Sequence, residues 1–178
     1  MLRRTFTLHK KVAKARAYVY GLGFYEMHLN GKKATDRVLA PASTPYDQRN
    51  LYATYDVTSH LGQGPNTVGV WLGNGYGPRF SKYGFRWSGP KQTIMRIAVS
   101  YTDGTHEDIT TDDRWEWASG AIVANDLYDG ETYDARLEQR GWDRPRFDNA
   151  GWEPVRSVPR PPRSSWRIPR RRSGWLGR

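Results

Sequence analysis

Apolar and polar residues alternate over short stretches of this chain, a pattern typical of half-buried strands. In residues 93–101, Met95, Ile97 and Val99 fall on one face of such a strand. Strands are predicted at residues 17–21, 25–29, 51–57, 67–72, 93–101, 106–110, 114–117 and 122–124. Helical periodicity is confined to about one turn at residues 57–61. Short strands at this spacing predict an all-β fold, an antiparallel β-sandwich.

Glycine, asparagine and aspartate mark the predicted turns. The dipeptides at 30–31 (Asn-Gly) and 103–104 (Asp-Gly) tolerate positive φ angles and favour tight hairpins. Gly64 and Pro65 are predicted to interrupt the chain before the strand at 67–72. Tyr52 and Tyr55 fall on opposite faces of one strand, so at most one of them is expected to be buried.

The positive charge is concentrated at the C-terminal end. Residues 154–178 contain eight arginines and no acids, and so supply +8 of the formal net charge of +10, leaving +2 for residues 1–153. We therefore predict a β-sandwich domain at 1–153, whose positive and negative charges nearly cancel, and an Arg/Pro-rich tail at 154–178. The overall charge does not indicate a nucleic-acid partner for the domain.

Three interpretations of the tail, which we expect to be disordered, are open. It could be a basic arm that binds nucleic acid, or a solvated linker. It could also be a frameshift product, because reading G/C-rich codons for this stretch two bases out of frame yields an apolar, proline-containing sequence. The gene sequence decides between the last interpretation and the others.

Several function classes are disfavoured by composition. The chain has no cysteine and therefore no disulfide or thiolate metal site. The four histidines, at 9, 28, 60 and 106, lack the spacing of a zinc site. No apolar run approaches the length of a membrane span, and the N-terminal stretch lacks the apolar region of a signal peptide, so we expect a cytoplasmic protein. Eight tryptophans and eleven tyrosines suit sheets and sugar-stacking surfaces.

Residues 125–138, NDLYDGETYDARLE, combine five acids with two tyrosines and one arginine. A structural interpretation is a loop whose carboxylates accept backbone N–H groups and pair with Arg136. A docking surface for another domain and a site for a ligand or metal are the alternatives. A self-contained pair of catalytic carboxylates is not expected.

Three stretches resemble the N-terminal β-sandwich module of bacterial alpha-L-rhamnosidases. They are FTLHKKVAKARAYVYGLGFYEMHLNGKKATDRVLAP, YDQRNLYATYDVTSHLGQGPNTVGVWLGNGY and ITTDDRWEWASGAIVANDLYDGETYDARLEQRGWD, in which YDGETYDARLE is the most specific motif. The resemblance implies a jelly-roll sandwich similar to galactose-binding domains. It also implies that catalysis belongs to a separate (α/α)6 barrel, so we expect a truncated, non-catalytic accessory module with no catalytic residues of its own.

The resemblance further implies a site for L-rhamnose-containing glycans, with a calcium ion bridging sugar hydroxyls and protein oxygens. The matching positions are Asp47, Gln48, Trp71, Asn74 and Tyr76, with Asp47 and Asn74 as calcium ligands. Gln48 stands where the resemblance leads us to expect a shorter amide side chain. This departure puts calcium binding in question.

Each of these positions also has a structural interpretation. Asp47 could cap a turn after Pro45, Trp71 could belong to the core, and Asn74 between glycines suits a left-handed turn. For docking against the (α/α)6 barrel the candidates are Asp129, Glu131, Tyr133, Asp134 and Arg136. A purely structural docking module without a ligand is the alternative function, and nucleic-acid binding through the tail is a further one.

Overall fold

The structure is a computed structural model that describes residues 1–42, 44, 49–75 and 91–158. Their strands, in chain order, are β1 (Leu2–Leu8), β2 (Val12–Leu22), β3 (Tyr25–Leu29), β4 (Lys32–Lys33), β5 (Ala53–Asp56), β6 (Gly64–Leu72), β7 (Gln92–Tyr101), β8 (His106–Thr110), β9 (Glu116–Trp117), β10 (Ile122–Asp126), β11 (Gly130–Tyr133) and β12 (Glu153–Pro154). Single turns of 3-10 helix lie at Thr58–His60 and Ala135–Leu137.

The strands form two main antiparallel sheets and one separate hairpin. The larger sheet has the order β12-β9-β1-β6-β3-β4 and the smaller has the order β5-β2-β7-β8. Among the described strands, β10 pairs only with β11. Alternate side chains of both main sheets meet in one buried cluster, which includes Phe6, Val19, Val68, Ile97 and Trp115. The predicted antiparallel β-sandwich is confirmed.

Most of the predicted strands and turns are confirmed. The bounds of β3 and β8 agree with the prediction, and the expected helical turn lies at Thr58–His60. The turn at 30–31 has φ angles of 53° and 84°, and Gly104 has a φ of 81°, as tight hairpins require. Tyr55 is buried and Tyr52 is exposed, as their opposite faces predict.

Gly64 and Pro65 do not interrupt the strand as predicted, because both belong to β6. They pair with Leu8 and Thr7 of β1. On the other side of β6, pairing with β3 begins only at Val68. The missing N–H of Pro65 therefore faces no strand, which makes proline acceptable at this position.

Residues 139–152, which we call the cover segment, lie over the outer face of the larger sheet. Its anchor is the buried Arg3 of β1, whose Nε donates to the carbonyl of Trp142 at 2.9 Å and whose Nη2 donates to that of Arg144 at 3.2 Å. The guanidinium also lies 5.4 Å from the ring centre of Phe147 and 5.8 Å from that of Trp152. The cover segment thus buries part of a sheet face that would otherwise meet solvent.

Candidate functional site

Asn74 is fixed at the end of β6 by Asn125 of β10. The backbone N–H of Asn74 donates to Asn125 Oδ1 at 2.6 Å, and its Nδ2 donates to the carbonyl of Asn125 at 2.7 Å. Asn74 is not in the left-handed conformation, which corrects that prediction; the positive φ, 55°, belongs to Gly75. Because an amide is planar, holding Nδ2 on Asn125 turns Asn74 Oδ1 away from this contact.

Trp71 lies on the outer face of the larger sheet and not in the core between the sheets. Its ring centre is 6.2 Å from that of Trp142 in the cover segment, and the side chain is half-buried there. The prediction that it could be a core residue is therefore wrong. Its buried Nε1 has no hydrogen-bond partner among the described residues. Packing against Trp142 restricts the ring face that a sugar could reach.

The other predicted sugar-site residues, Asp47, Gln48 and Tyr76, lie outside the described residues. Of the two predicted calcium ligands, only Asn74 is therefore described. Within the described ranges, no group of three or more histidine or acidic side chains is arranged to hold a metal ion. Asn74 Oδ1 is a hard oxygen of the kind that calcium accepts, but one ligand does not define a calcium site.

The acidic segment at 125–138 contributes the β10–β11 hairpin and the turn of 3-10 helix after it. Asp126 Oδ1 accepts the backbone N–H groups of Tyr128 and Asp129 at 3.0 and 3.2 Å. Asp134 accepts the backbone N–H of Arg136 at 3.1 Å and pairs with its guanidinium at 2.6 Å. These hydrogen bonds from Arg136 hold the pKa of the Asp134 carboxyl below its usual range. Both contacts are those expected of the structural interpretation.

Apolar side chains in and just before this segment are nevertheless exposed to solvent. The exposed fractions are 54% for Val123, 75% for Tyr128, and 47% for both Tyr133 and Leu137. Every residue of β11 is exposed. Of the predicted docking residues, Asp129, Glu131 and Tyr133 therefore lie on or beside one exposed hairpin, whereas Asp134 and Arg136 follow it.

One polar contact between sheet and cover segment was not predicted. His28 Nδ1 of β3 lies 2.9 Å from Asp143 Oδ2. Burial opposes ionisation of Asp143, but the hydrogen bond and charge of His28 outweigh it, and the pKa of the carboxyl is lowered. The two residues are 115 positions apart, so no local pattern could join them. We assign this pair to the attachment of the cover segment.

Comparison with known families identifies the chain. The model of the alpha-L-rhamnosidase N-terminal domain matches residues 10–170. The chain belongs to this family. An alpha-L-rhamnosidase of Streptomyces avermitilis is 44% identical to it over 160 residues, which are 88% of this chain and 16% of that enzyme. An alpha-L-rhamnosidase of Formosa agariphila is 39% identical over 157 residues, which are 84% of this chain and 16% of that enzyme.

Solved structures agree with the family assignment. The Streptomyces avermitilis alpha-L-rhamnosidase complexed with L-rhamnose has a TM-score of 0.82 at 42% identity, covering 88% of this chain and 16% of that one. The native Aspergillus terreus enzyme has a TM-score of 0.83 at 35% identity, covering 92% and 20%. A Pleurotus ostreatus lectin, 20% identical with a TM-score of 0.53, shares the fold.

The chain spans about one-sixth of the length of these rhamnosidases. What is matched is the N-terminal domain alone, so the chain corresponds to the accessory module of a glycoside hydrolase and not to its catalytic domain. No helix in the described residues is long and apolar enough to span a membrane. The frameshift interpretation of the tail and the domain boundary at 153 stay predictions.

Proposed function

We propose that this rhamnosidase N-terminal domain binds L-rhamnose-containing glycans at the end of the sandwich where Asn74 lies. The observation that carries the proposal is the double hydrogen bond between Asn74 and Asn125. It holds one amide in a fixed direction, which is what recognition of sugar hydroxyls requires. Support also comes from the relative of 42% identity that was solved with L-rhamnose.

In the proposed site, Asn74 Oδ1 accepts a sugar hydroxyl or coordinates calcium with Asp47. The half-buried Trp71 already packs against Trp142, so the stacking face is assigned to Tyr76. A single stacked ring and a few hydrogen bonds give weak affinity, with dissociation constants of about 0.1–10 mM. Such affinity suffices to keep a glycan near an attached catalytic domain because the local concentration is high.

Titration calorimetry with L-rhamnose, in calcium and in EDTA, tests the proposal. We expect the wild type to give a heat of binding. Asn74→Ala should abolish this heat because the hydrogen-bonding group is removed. Asn125→Ala should lower the affinity at least about tenfold because the Asn74 amide is misdirected. Asn149→Ala is the matched control, since its amide contacts Glu116 at 2.7 Å in another part of the sheet. Absence of heat at millimolar sugar in both buffers would contradict the proposal, as would unchanged affinity in Asn74→Ala.

Support of the (α/α)6 catalytic barrel is the second candidate function, and the exposed apolar hairpin favours it. Adding the purified chain to the separately produced remainder of the Streptomyces avermitilis enzyme tests this role by analytical ultracentrifugation. We expect a complex that Val123→Asp weakens. A chain that forms no complex, or a complex indifferent to this substitution, would argue against docking through the hairpin.

A further inference from the structure

The turn between β3 and β4 contains an asparagine followed by a glycine, Asn30 and Gly31. Asparagine is a thermolabile residue, and a following glycine leaves the backbone nitrogen accessible because it has no Cβ. That nitrogen can attack the asparagine Cγ: the N–Cγ bond forms, the Cγ–Nδ2 bond breaks, and ammonia leaves. Water then opens the cyclic imide and gives aspartate or isoaspartate. Both residues are only partly buried, so water can reach them.

The side chain of Asn30 is fixed by three hydrogen bonds. Its Nδ2 donates to the carbonyl of His60 and to Asn66 Oδ1, both at 2.8 Å. Its Oδ1 accepts the backbone N–H of Thr67 at 2.8 Å. Because ring closure releases Nδ2 as ammonia, the bonds to His60 and Asn66 must be lost when the ring forms. The partners in β6 and in the helical turn before it therefore hold the leaving group in place.

The attacking nitrogen, that of Gly31, is held by the cover segment. Its N–H donates to the carbonyl of Asp143 at 3.0 Å. A Cβ on Gly31 would lie 2.6 Å from Arg144 Nε, so the cover segment packs directly on this glycine. The side chain of Asp143 contacts His28 of β3 at 2.9 Å, which fixes the segment at this point. Attack requires the Gly31 amide to lose its proton and turn toward Asn30, and the hydrogen bond to Asp143 opposes both steps.

We propose that Asn30 is a deamidation site that the cover segment keeps unreactive in the folded domain. The attacking nitrogen and the leaving group are held by different parts of the chain, so the reaction requires the cover segment to open locally. Conversion to aspartate would place a carboxylate oxygen against the carbonyl of His60 and Oδ1 of Asn66, where a donor now lies. The modified domain could not restore these contacts. This site is independent of sugar binding at Asn74.

Tryptic peptide mapping by mass spectrometry, after incubation at mildly alkaline pH, tests the proposal. Trypsin releases residues 17–32, in which Asn30 is the sole side-chain amide, apart from residues 50–79, which carry the other Asn-Gly pair. Conversion of Asn30 should be at least about thirtyfold slower in the folded chain than in urea, because it must await local opening. Arg3→Met removes the donor to the Trp142 carbonyl, so it should accelerate conversion in the folded chain about tenfold or more.

The control variant is Ile97→Ala, which destabilises the domain without touching the cover segment. Ile97 is fully buried in the core, on the other face of the larger sheet, and its truncation lowers stability by an amount comparable to the loss of Arg3. Conversion of Asn30 should stay within about twofold of the wild-type rate in this variant. Asp143→Asn weakens the attachment by less than Arg3→Met and should give an intermediate rate. The test therefore does not depend on Arg3→Met being folded.

Three results would overturn the proposal. If Asn30 converts as fast in the folded chain as in urea, its hydrogen bonds give no protection. If the rate is unchanged in both Arg3→Met and Asp143→Asn, the cover segment is not what holds the site unreactive. If the cover-segment variants and Ile97→Ala accelerate conversion equally, the reaction proceeds through global unfolding and not through detachment of the cover segment.

Discussion

The indole ring of Trp142 lies against the backbone of Gly69. A Cβ on Gly69 would approach Trp142 Cζ3 to 2.4 Å, far inside van der Waals contact. Gly69 is in the middle of β6 and pairs with Arg3 of β1, which itself holds the carbonyl of Trp142. The glycine therefore sets the height at which the cover segment rests on the sheet.

Gly69→Ala should lower the free energy of unfolding by about 2 kcal/mol, because the methyl group displaces Trp142 from its packed position. Gly62→Ala is the matched control, since nothing lies within 4 Å of its added Cβ. Urea denaturation measures both variants. Equal stability of the two would show that the cover segment adjusts freely.

Arg3→Met should lower the free energy of unfolding by about 3 kcal/mol, because the buried carbonyl of Trp142 and the partly buried carbonyl of Arg144 lose their donor and Glu116 loses a charge partner. Arg136→Met removes an arginine that pairs with Asp134 at the surface, and it should leave the free energy of unfolding unchanged within measurement error. The same denaturation experiment compares them. A small effect in Arg3→Met would mean that the cover segment is held by its aromatic rings alone.

Asp143→Asn should destabilise the domain by about 1–2 kcal/mol at neutral pH through the weakened contact with His28. The pKa of Asp143 is lowered in the folded state, so its contribution is present above the unfolded pKa of about 4 and is lost as the pH falls through the folded value. The free energies of unfolding of variant and wild type, measured by urea denaturation from pH 3 to pH 7, should thus become equal at the acid end. Asp113→Asn is the control. Parallel pH profiles of Asp143→Asn and wild type would contradict this linkage.

Leu39→Asn should stabilise the domain by about 0.5 kcal/mol. Leu39 is exposed and has a φ of 56°, a left-handed conformation that asparagine adopts at lower cost. The neighbouring Val38 is also exposed but lacks a positive φ, so Val38→Asn should bring no gain. Thermal unfolding distinguishes the two. A stabilisation shared by both variants would point to removal of exposed apolar surface as the cause.

Strands with regular alternation could be predicted from the sequence, and those that break it could not. The β8 strand agrees with its prediction because Ile109 alternates with polar residues beside a clear Asp-Gly turn. The β1 strand was missed because Arg4 stands where an apolar residue is expected, on the face that it shares with Phe6 and Leu8. Arg4 is buried on the core side, where it pairs with Asp112 at 3.0 Å. Its partner lies 108 residues away, beyond any local pattern.

The candidate site shows the same limit. Asn74 was selected through resemblance, but its partner Asn125 lies 51 positions further along the chain. The hairpin around Glu131 was recognised as unusual from its acids, although β11 lacks the apolar alternation that marks a strand. The one sequence signal for the cover segment was Gly69 inside an apolar strand, since such a glycine often marks a close approach of another group.

The position of β1 bears on the order in which the domain can form during synthesis. This first strand lies between β6 and β9, so its two neighbours come roughly 60 and 115 residues later. The carbonyls of Trp142 and Arg144, to which Arg3 donates, are synthesised later still. During synthesis, β1 consequently stays unpaired on one side until β9 has left the ribosome.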